Sequence, residues 1–416
     1  MKIADGVYVH FIPTQKYKTN RIVFRMTGSL NKQTIAKRAL VSQMLATANQ
    51  TYPTVQSFKE RLAFLYGTQL STRVSTKGLT HSVDIELTYL KDAFIPTNNG
   101  LFWEVLGFLK ECLYKPLSRV AQYQNRVFDI EKQNLKTYLD VDTENNYYYS
   151  EVKGRELYFV NEGLKVPKYG QAELVEAETS FTAYQEFQSM LTRDRIDIFM
   201  VGEFDDYQVL QALHRCPLEG RQVDLQFSYS QPYVNVVKEK IEPRQSSQSI
   251  LQLGYQFPCQ YGDKDYFALI VFNAMFGEFA HSALFTTLRE KEGLAYSISS
   301  QFDIFTGLLE VYAGIEKSNR NQAMRGISRE LNYIKLGRFS SSLLNQTKKI
   351  IRMNALLSED HALTLVEQRF NKVIFGDKSL SLENWLDEIE KVTKKDVCRV
   401  ARQVKLQSLF FLEGVS

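Results

Sequence analysis

A chain of 416 residues is too long for one compact core of ordinary size, so two or more domains or repeats are expected. Its 44% apolar and 24% charged residues are ordinary for a soluble globular protein, and 51 basic against 47 acidic side chains leave a formal charge of only +4, which argues against a nucleic-acid partner. The N-terminus lacks the apolar run of a signal peptide, and no stretch approaches the roughly 18–20 apolar residues of a membrane span, so a cytoplasmic protein without membrane contact is expected.

The opening runs GVYVHFIPT and RIVFRMTGSL are rich in β-branched and aromatic residues and predict adjacent strands. A helix is predicted over AKRALVSQMLATAN, and another over QSFKERLAFLYG, where Phe58, Leu62 and Leu65 recur at helical spacing before a break at Gly67. HSVDIELTYL alternates, with Val83, Ile85 and Leu87 on one face and Asp84 and Glu86 on the other, read as a solvated face. Long helices follow over LFWEVLGFLKECLY and AQYQNRVFDIEKQNLKTYL, and RIDIFMVGEF returns to strand.

The later part repeats that order. QSILQLGYQF reads as a strand, DYFALIVFNAMFG and HSALFTTLREKEG as helices, and LAYSISSQFDIF with LLEVYAGIE as a hairpin around Thr306 and Gly307. Gly293 suits the left-handed position just past a helix, with apolar Leu294 next. Two more helices, NQAMRGISRELNYIKLG and SSLLNQTKKIIRMNALL, precede a last strand near LQSLFFLEG. Residues 218–240 are polar and marked by prolines, the best linker candidate, which separates an N-terminal half at 1–217 from a C-terminal half at 241–416. The expected fold class is α+β: two similar halves, each an antiparallel sheet with helices packed on one face.

Cys112, Cys216, Cys259 and Cys398 are widely separated, with no Cys-x-x-Cys pair, and read as buried free thiols. His10, His81, His214, His281 and His361 include no two within one helical turn. There is no Gly-rich phosphate loop and no Gly-x-Ser-x-Gly elbow.

FNAMFGEFAHSALFTTLREKEGLAYSISSQFD resembles the C-terminal-half signature of the pitrilysin/insulinase-type metallopeptidases, including the mitochondrial processing peptidase type. The matching places are Gly277, Ser282 to Phe285, Leu288 to Glu290, and Gly293 to Tyr296. The resemblance implies two homologous α+β halves. It also implies a zinc site in the first half, where active members carry His-x-x-Glu-His on a helix: two histidines on one helical face grip the ion, and the glutamate acts on its water. No such motif occurs in this chain. Aligned by Gly28 and Ser29, the two histidines fall at Ala39 and Gln43 and the glutamate at Ser42; aligned by Phe128, Glu131 and Lys132, the third ligand falls near Tyr138.

In the resembled family the signature arginine and tyrosine hold substrate backbone and help stabilise the developing oxyanion; here they are Arg289 and Tyr296. Without that resemblance, Arg289 would pair with Glu290 or Glu292 at the surface and Tyr296 would be a packed sheet residue. The resemblance implies a chain with no cofactor of its own, inactive alone, serving as the substrate-binding subunit of a two-chain peptidase. Its partner would be a homologue bearing zinc on His-x-x-Glu-His, its substrate a peptide or unfolded protein, and a homodimer in isolation is also compatible. A scaffold or peptide-binding protein of the same fold, with no hydrolytic role, is the alternative.

Overall fold

The computed structural model describes residues 1–95 and 100–415. In chain order it has strands β1 (Lys2–Ala4), β2 (Val7–Pro13) and β3 (Thr19–Ser29), helices α1 (Lys32–Leu45) and α2 (Val55–Phe64), and the hairpin of β4 (Gln69–Lys77) and β5 (Thr80–Leu90). Helix α3 (Leu101–Tyr114) leads through the short pair β6 (Ser118–Arg119) and β7 (Gln122–Tyr123) to α4 (Asn125–Glu144), α5 (Asn146–Tyr158), α6 (Ala172–Glu176) and α7 (Ser180–Arg193), then β8 (Arg195–Gly202) and α8 (Asp206–His214). After an irregular stretch come β9 (Lys238–Gln245), β10 (Ser249–Gln256), α9 (Tyr266–Asn273) and two π-helical stretches, Ala274–Glu278 and Phe285–Lys291. Strands β11 (Ala295–Asp303) and β12 (Leu308–Ile315), helices α10 (Arg320–Lys335), α11 (Ser341–Ser358), α12 (Ala362–Phe375), α13 (Leu382–Lys391) and α14 (Lys394–Gln403), and strand β13 (Lys405–Val415) complete it.

By contact the chain forms two units: Met1–Val141 with Val166–Gln226 and Leu365–Arg369, and Asp142–Lys165 with Phe227–Thr364 and Phe370–Ser416. They differ from uninterrupted halves at 1–217 and 241–416, because Asp142–Lys165, which includes α5, clusters with the later unit. Residues 217–237 carry neither helix nor strand, as a linker composition suggests, yet the stretch is anchored. Arg221 is buried and donates to the backbone oxygens of Leu191 (2.6 Å) and Glu219 (2.7 Å).

The first unit's sheet runs β1-β2-β8-β3-β5-β4, and the second's β11-β12-β10-β13-β9. Read from β2 and from β9 the two orders are the same, with each unit's last strand inserted between its first long pair. Both sheets are therefore mixed rather than purely antiparallel: β2 pairs parallel with β8, and β9 with β13. A late strand returning in the direction of the opening strand imposes that pairing, and the antiparallel expectation is corrected here. The shared order is the structural form of the repeat read from element order.

In the first sheet Ile22, Phe24, Met26, Val83, Ile85 and Leu87 face a core shared with Ala39 and Leu40 of α1, Val105 of α3 and Phe187 of α7. In the second, Leu251, Leu253, Leu309, Val311, Leu409 and Phe411 face α9, α10 and α14 through Phe272, Ile327 and Val400. Helices do not lie on one face alone, however. The alternate residues Ile250, Phe410 and Leu412 cluster with Tyr147, Tyr149 and Leu157 of α5, so α5 covers part of the second sheet's other face. Period-two alternation puts Ile250 and Leu251 on opposite faces, and both are fully buried.

Candidate functional site

Helix α1 is capped by Asn31, whose side chain accepts from the Gln33 backbone N–H, and it carries the residues aligned above with the zinc motif into the first core. Ala39 is fully buried and offers no donor atom; Ser42 is buried and its hydroxyl donates to the Ala39 carbonyl at 2.7 Å; Gln43 is half-buried. On α4, Tyr138 is 51% exposed and meets Tyr169 edge-on at 5.9 Å. The carboxylate of α4 that reaches the end of α1 is instead Glu131, two helical turns earlier, which accepts from Thr47 Oγ1 at 3.0 Å and from Asn134 at 3.2 Å. Zinc does not fit these residues: Ala39 cannot ligate, Ser42 is occupied by its own helix, and Glu131 is held by neutral donors. Among the described residues no three His, Cys, Asp or Glu side chains converge as a metal site.

The second unit's signature segment divides sharply by burial. Gly277 lies where a Cβ would come within 2.6 Å of Ser300 Oγ, so only glycine allows the π-helical stretch to sit on β11. Ser282, Leu284, Leu288 and Leu294 are buried, and Ser300 donates to Asn273 at 2.8 Å beneath them. Gly293, with φ +61°, terminates the helical stretch as read from sequence: the Leu294 N–H returns to the Leu288 carbonyl at 2.8 Å and the Glu292 N–H to Thr287 at 2.9 Å. These letters hold the turn together.

Arg289 and Tyr296 flank that turn and point out of the core. Arg289 is exposed and its guanidinium lies 4.7 Å from the centre of the Phe285 ring, with no carboxylate partner among the described residues. Glu292 is not its counter-ion, because Glu292 pairs with Arg329 at 2.5 Å. Tyr296 is 59% exposed and donates its hydroxyl to Glu316. That hydrogen bond, with the carboxylate's charge, holds the phenol proton on above its ordinary value, so Tyr296 is a neutral donor at neutral pH.

The polar face of the first sheet departs from the sequence reading. Asp84 is buried, not solvated, and receives Arg25 through two hydrogen bonds of 2.8 Å; Arg25 itself is 1% exposed. Glu367, from the Leu365–Arg369 piece of α12, joins Arg25 at 2.6 Å, Arg73 at 3.0 Å and Lys77 at 3.3 Å. Burial alone would raise the Glu367 pKa, but Arg25, Lys77 and Arg73 outweigh it and hold the carboxyl at about 2. On the same face His10 contacts Asp197 at 2.7 Å, with Arg195 closing on that carboxylate. His81 is fully buried, touches the Lys168 carbonyl at 2.9 Å, and is held neutral by burial and by Arg38, which push it down to about 3. These are structural ion pairs and a packed histidine. Cross-strand register, Arg25 opposite both Asp84 and Asp197, was the signal that could have revealed them.

Of the other histidines, His281 meets Thr347 Oγ1 at 2.9 Å and His361 precedes α12 without a side-chain capping bond. All four cysteines are free; Cys112, Cys259 and Cys398 are buried and Cys216 is half-buried. No helix among the described residues is long and apolar enough to cross a membrane.

Comparison with known proteins places these features in context. The family model described as the peptidase M16 inactive domain matches residues 184–351. Over 410 residues, 98% of this chain and 96% of the relative, the sequence is 30% identical to the probable inactive metalloprotease YmfF of Bacillus subtilis. A 24% identity over 249 residues, 59% of each chain, relates it to the uncharacterized zinc protease YmxG of the same species. The crystal structure of a conserved protein from Enterococcus faecalis superposes with a TM-score of 0.97 at 36% identity, covering 100% of this chain and 98% of that one.

Proposed function

The chain belongs to the peptidase M16 family, as a member without the zinc motif, and from that premise we propose that it is the non-catalytic, substrate-binding subunit of a two-chain zinc-dependent peptidase acting in the cytoplasm. The observation that carries this reading is the division of burial within one segment. Ser282, Leu284, Leu288 and Leu294 are buried while Arg289 and Tyr296, between and beside them, are exposed. Arg289, with no carboxylate partner among the described residues, is not required by that packing. A permanent forked cation and a neutral phenol donor are suited to an oxyanion and to peptide carbonyls.

The missing chemistry would come from a homologous chain bearing His-x-x-Glu-His and zinc, with a peptide or unfolded protein as substrate. The relatives support such a pairing, since Bacillus subtilis has both a probable inactive metalloprotease and a zinc protease similar to this chain. The test is to mix this protein with the zinc-bearing homologue from its own genome and follow cleavage of a quenched unstructured peptide. Mixing is expected to create or raise zinc-dependent turnover, and Arg289→Ala with Tyr296→Phe to lower it by a few hundredfold, on the order of one lost oxyanion donor. An unchanged rate on mixing, with no heterodimer by native mass spectrometry, would defeat the proposal for that pair.

A scaffold reading is favoured by a different observation: Tyr296 is bonded to Glu316 and Arg289 is stacked on Phe285, so both groups have uses within the chain. That reading gains if the double substitution leaves the rate of an active mixed complex unchanged.

A further inference from the structure

Helix α5 and the second sheet leave a cleft of about 380 Å³, within the size range of ligand sites, and neither Arg289, Tyr296 nor the positions aligned with the zinc motif line it. Its floor is one face of three neighbouring strands. Gln252 of β10 lies opposite Tyr312 of β12, and Gln301 of β11 opposite Glu310, two residues before Tyr312, so period-two alternation turns all four side chains to the same side. Tyr147 of α5 forms the facing wall, where its hydroxyl donates to Gln248 at 3.1 Å and meets Ser297 Oγ at 2.6 Å. Its ring meets Tyr312 edge-on at 5.6 Å. Glycine at 314 permits that approach, since a Cβ there would lie 2.2 Å from the Tyr147 hydroxyl oxygen.

Buried Glu310 decides what the two glutamines offer. Its carboxylate receives Arg155 at 3.1 and 2.8 Å and the amide nitrogens of Gln252 and Gln301 at 3.3 Å each. A carboxylate only accepts, so the amide ends that meet it are the nitrogens, which orients both side chains. Each bond uses one N–H. Gln252 and Gln301 therefore keep between them two N–H groups and two carbonyl oxygens, which have no other partner among the described residues. Gln252 is 4% exposed and lines the cleft, so its unspent groups belong to a buried amide that bulk water does not serve. Glu151 on the wall is paired with Arg155 at 3.0 Å, and the unspent groups of the two glutamines are neutral. A primary carboxamide has the complementary set: its NH2 gives two donors for the two carbonyl oxygens, and its own carbonyl accepts two. A main-chain amide has one N–H too few. A carboxylate has no donor and an ammonium or guanidinium no acceptor, so each would leave half of the set unmatched.

We propose that this cleft binds the carboxamide side chain of a glutamine or asparagine in an extended polypeptide. The assignment rests on the peptide-binding reading above and adds the residue class that the chain selects. Gln252 and Gln301 exchange hydrogen bonds with the ligand's amide, and the Tyr147 and Tyr312 rings pack against its methylene carbons.

The experiment uses the purified full chain and nine-residue Gly/Ser peptides that differ only in a central glutamine, asparagine, glutamate, lysine or methionine, with dissociation constants from ligand-detected NMR. Methionine matches glutamine in length without its hydrogen bonds, and glutamate matches it in shape without its donors. The tighter of the two carboxamide peptides is expected to bind at least about tenfold better than the glutamate, lysine and methionine peptides. Its advantage over methionine should not change with salt, because neither side chain is charged. Gln301→Met, at an exposed strand position, should bring that peptide close to the methionine peptide. Equal affinity or no binding across the series, tighter binding of the glutamate or lysine peptide, or a carboxamide preference that survives Gln301→Met overturns the assignment. The subunit reading is scored separately by turnover of the mixed complex. A carboxamide preference in a chain that never activates a zinc-bearing homologue would sink that reading and leave this one standing.

Discussion

Glu367 places one carboxylate against Arg25, Arg73 and Lys77 on the polar face of the first sheet. Arg25 is too deeply buried to be solvated, and removing the Glu367 charge takes away one of the carboxylates that neutralise it. Charged hydrogen bonds of this kind contribute about 2 kcal/mol each, so Glu367→Gln is expected to lower unfolding free energy by about that amount at pH 7. The pH dependence follows from the depressed pKa. The folded carboxyl titrates at about 2 against an ordinary 4.5, so its contribution is fully present above pH 4.5 and is lost as pH falls through 2. The stability difference between the parent protein and Glu367→Gln, measured by urea unfolding, should be constant from pH 7 to 5 and shrink below that. A difference that persists undiminished at pH 2.5 would mean that Glu367 acts by packing rather than by charge.

At the scale of elements, the offset between Arg289 and Tyr296 is set by how the π-helical stretch ends. Gly293 at φ +61° is the residue that reverses the chain, with open space where a Cβ would point. An L-residue there meets only backbone strain, about 1–2 kcal/mol. Gly293→Ala should therefore lower the melting temperature by a few degrees and leave the fold intact. If the turn positions the two side chains on substrate, turnover of the mixed complex should fall more than the stability loss explains at a temperature where the variant remains folded. Full turnover in a folded Gly293→Ala complex would separate the turn from function. The same logic applies to α5, which sits on the second sheet because Gly154 and Gly314 leave room for it.

For the molecule as a whole, the two sheets share one strand order. The positions of α1 that the sequence resemblance aligns with a zinc motif are filled as core: Ala39 is fully buried beside Leu40 and Val41. The purified chain is expected to hold less than stoichiometric zinc by metal analysis, to leave quenched peptides uncut, and to keep its melting temperature on addition of a chelator, because no ligand set for the metal exists among the described residues. One tightly bound zinc per chain, with a melting temperature lowered by the chelator, would contradict the reading of Ala39, Ser42, Gln43 and Tyr138 together.

Properties that depend on a residue's own chemistry or on its near neighbours are legible in the sequence. Alanine at position 39 cannot ligate a metal in any fold, five scattered histidines cannot form the inverted motif, and Gly293 followed by Leu294 ends a helix through contacts within six residues. The alternation of Val83, Ile85 and Leu87 likewise placed the core face of β5 before any partner strand was known. Properties created by long-range pairing are not legible there. Asp84 looked like a solvated carboxylate because nothing local marks its partner; Arg25 lies 59 positions away and Glu367 joins that guanidinium from 342 positions away. The run NYYYSEVKGRELY carries a weak apolar period, and α5 settles on the second sheet through the room left by Gly314 beneath it and by its own Gly154 over Gln252. Burial and charge pairing are set by the surface that arrives from elsewhere in the chain, and local spacing carries no record of that arrival.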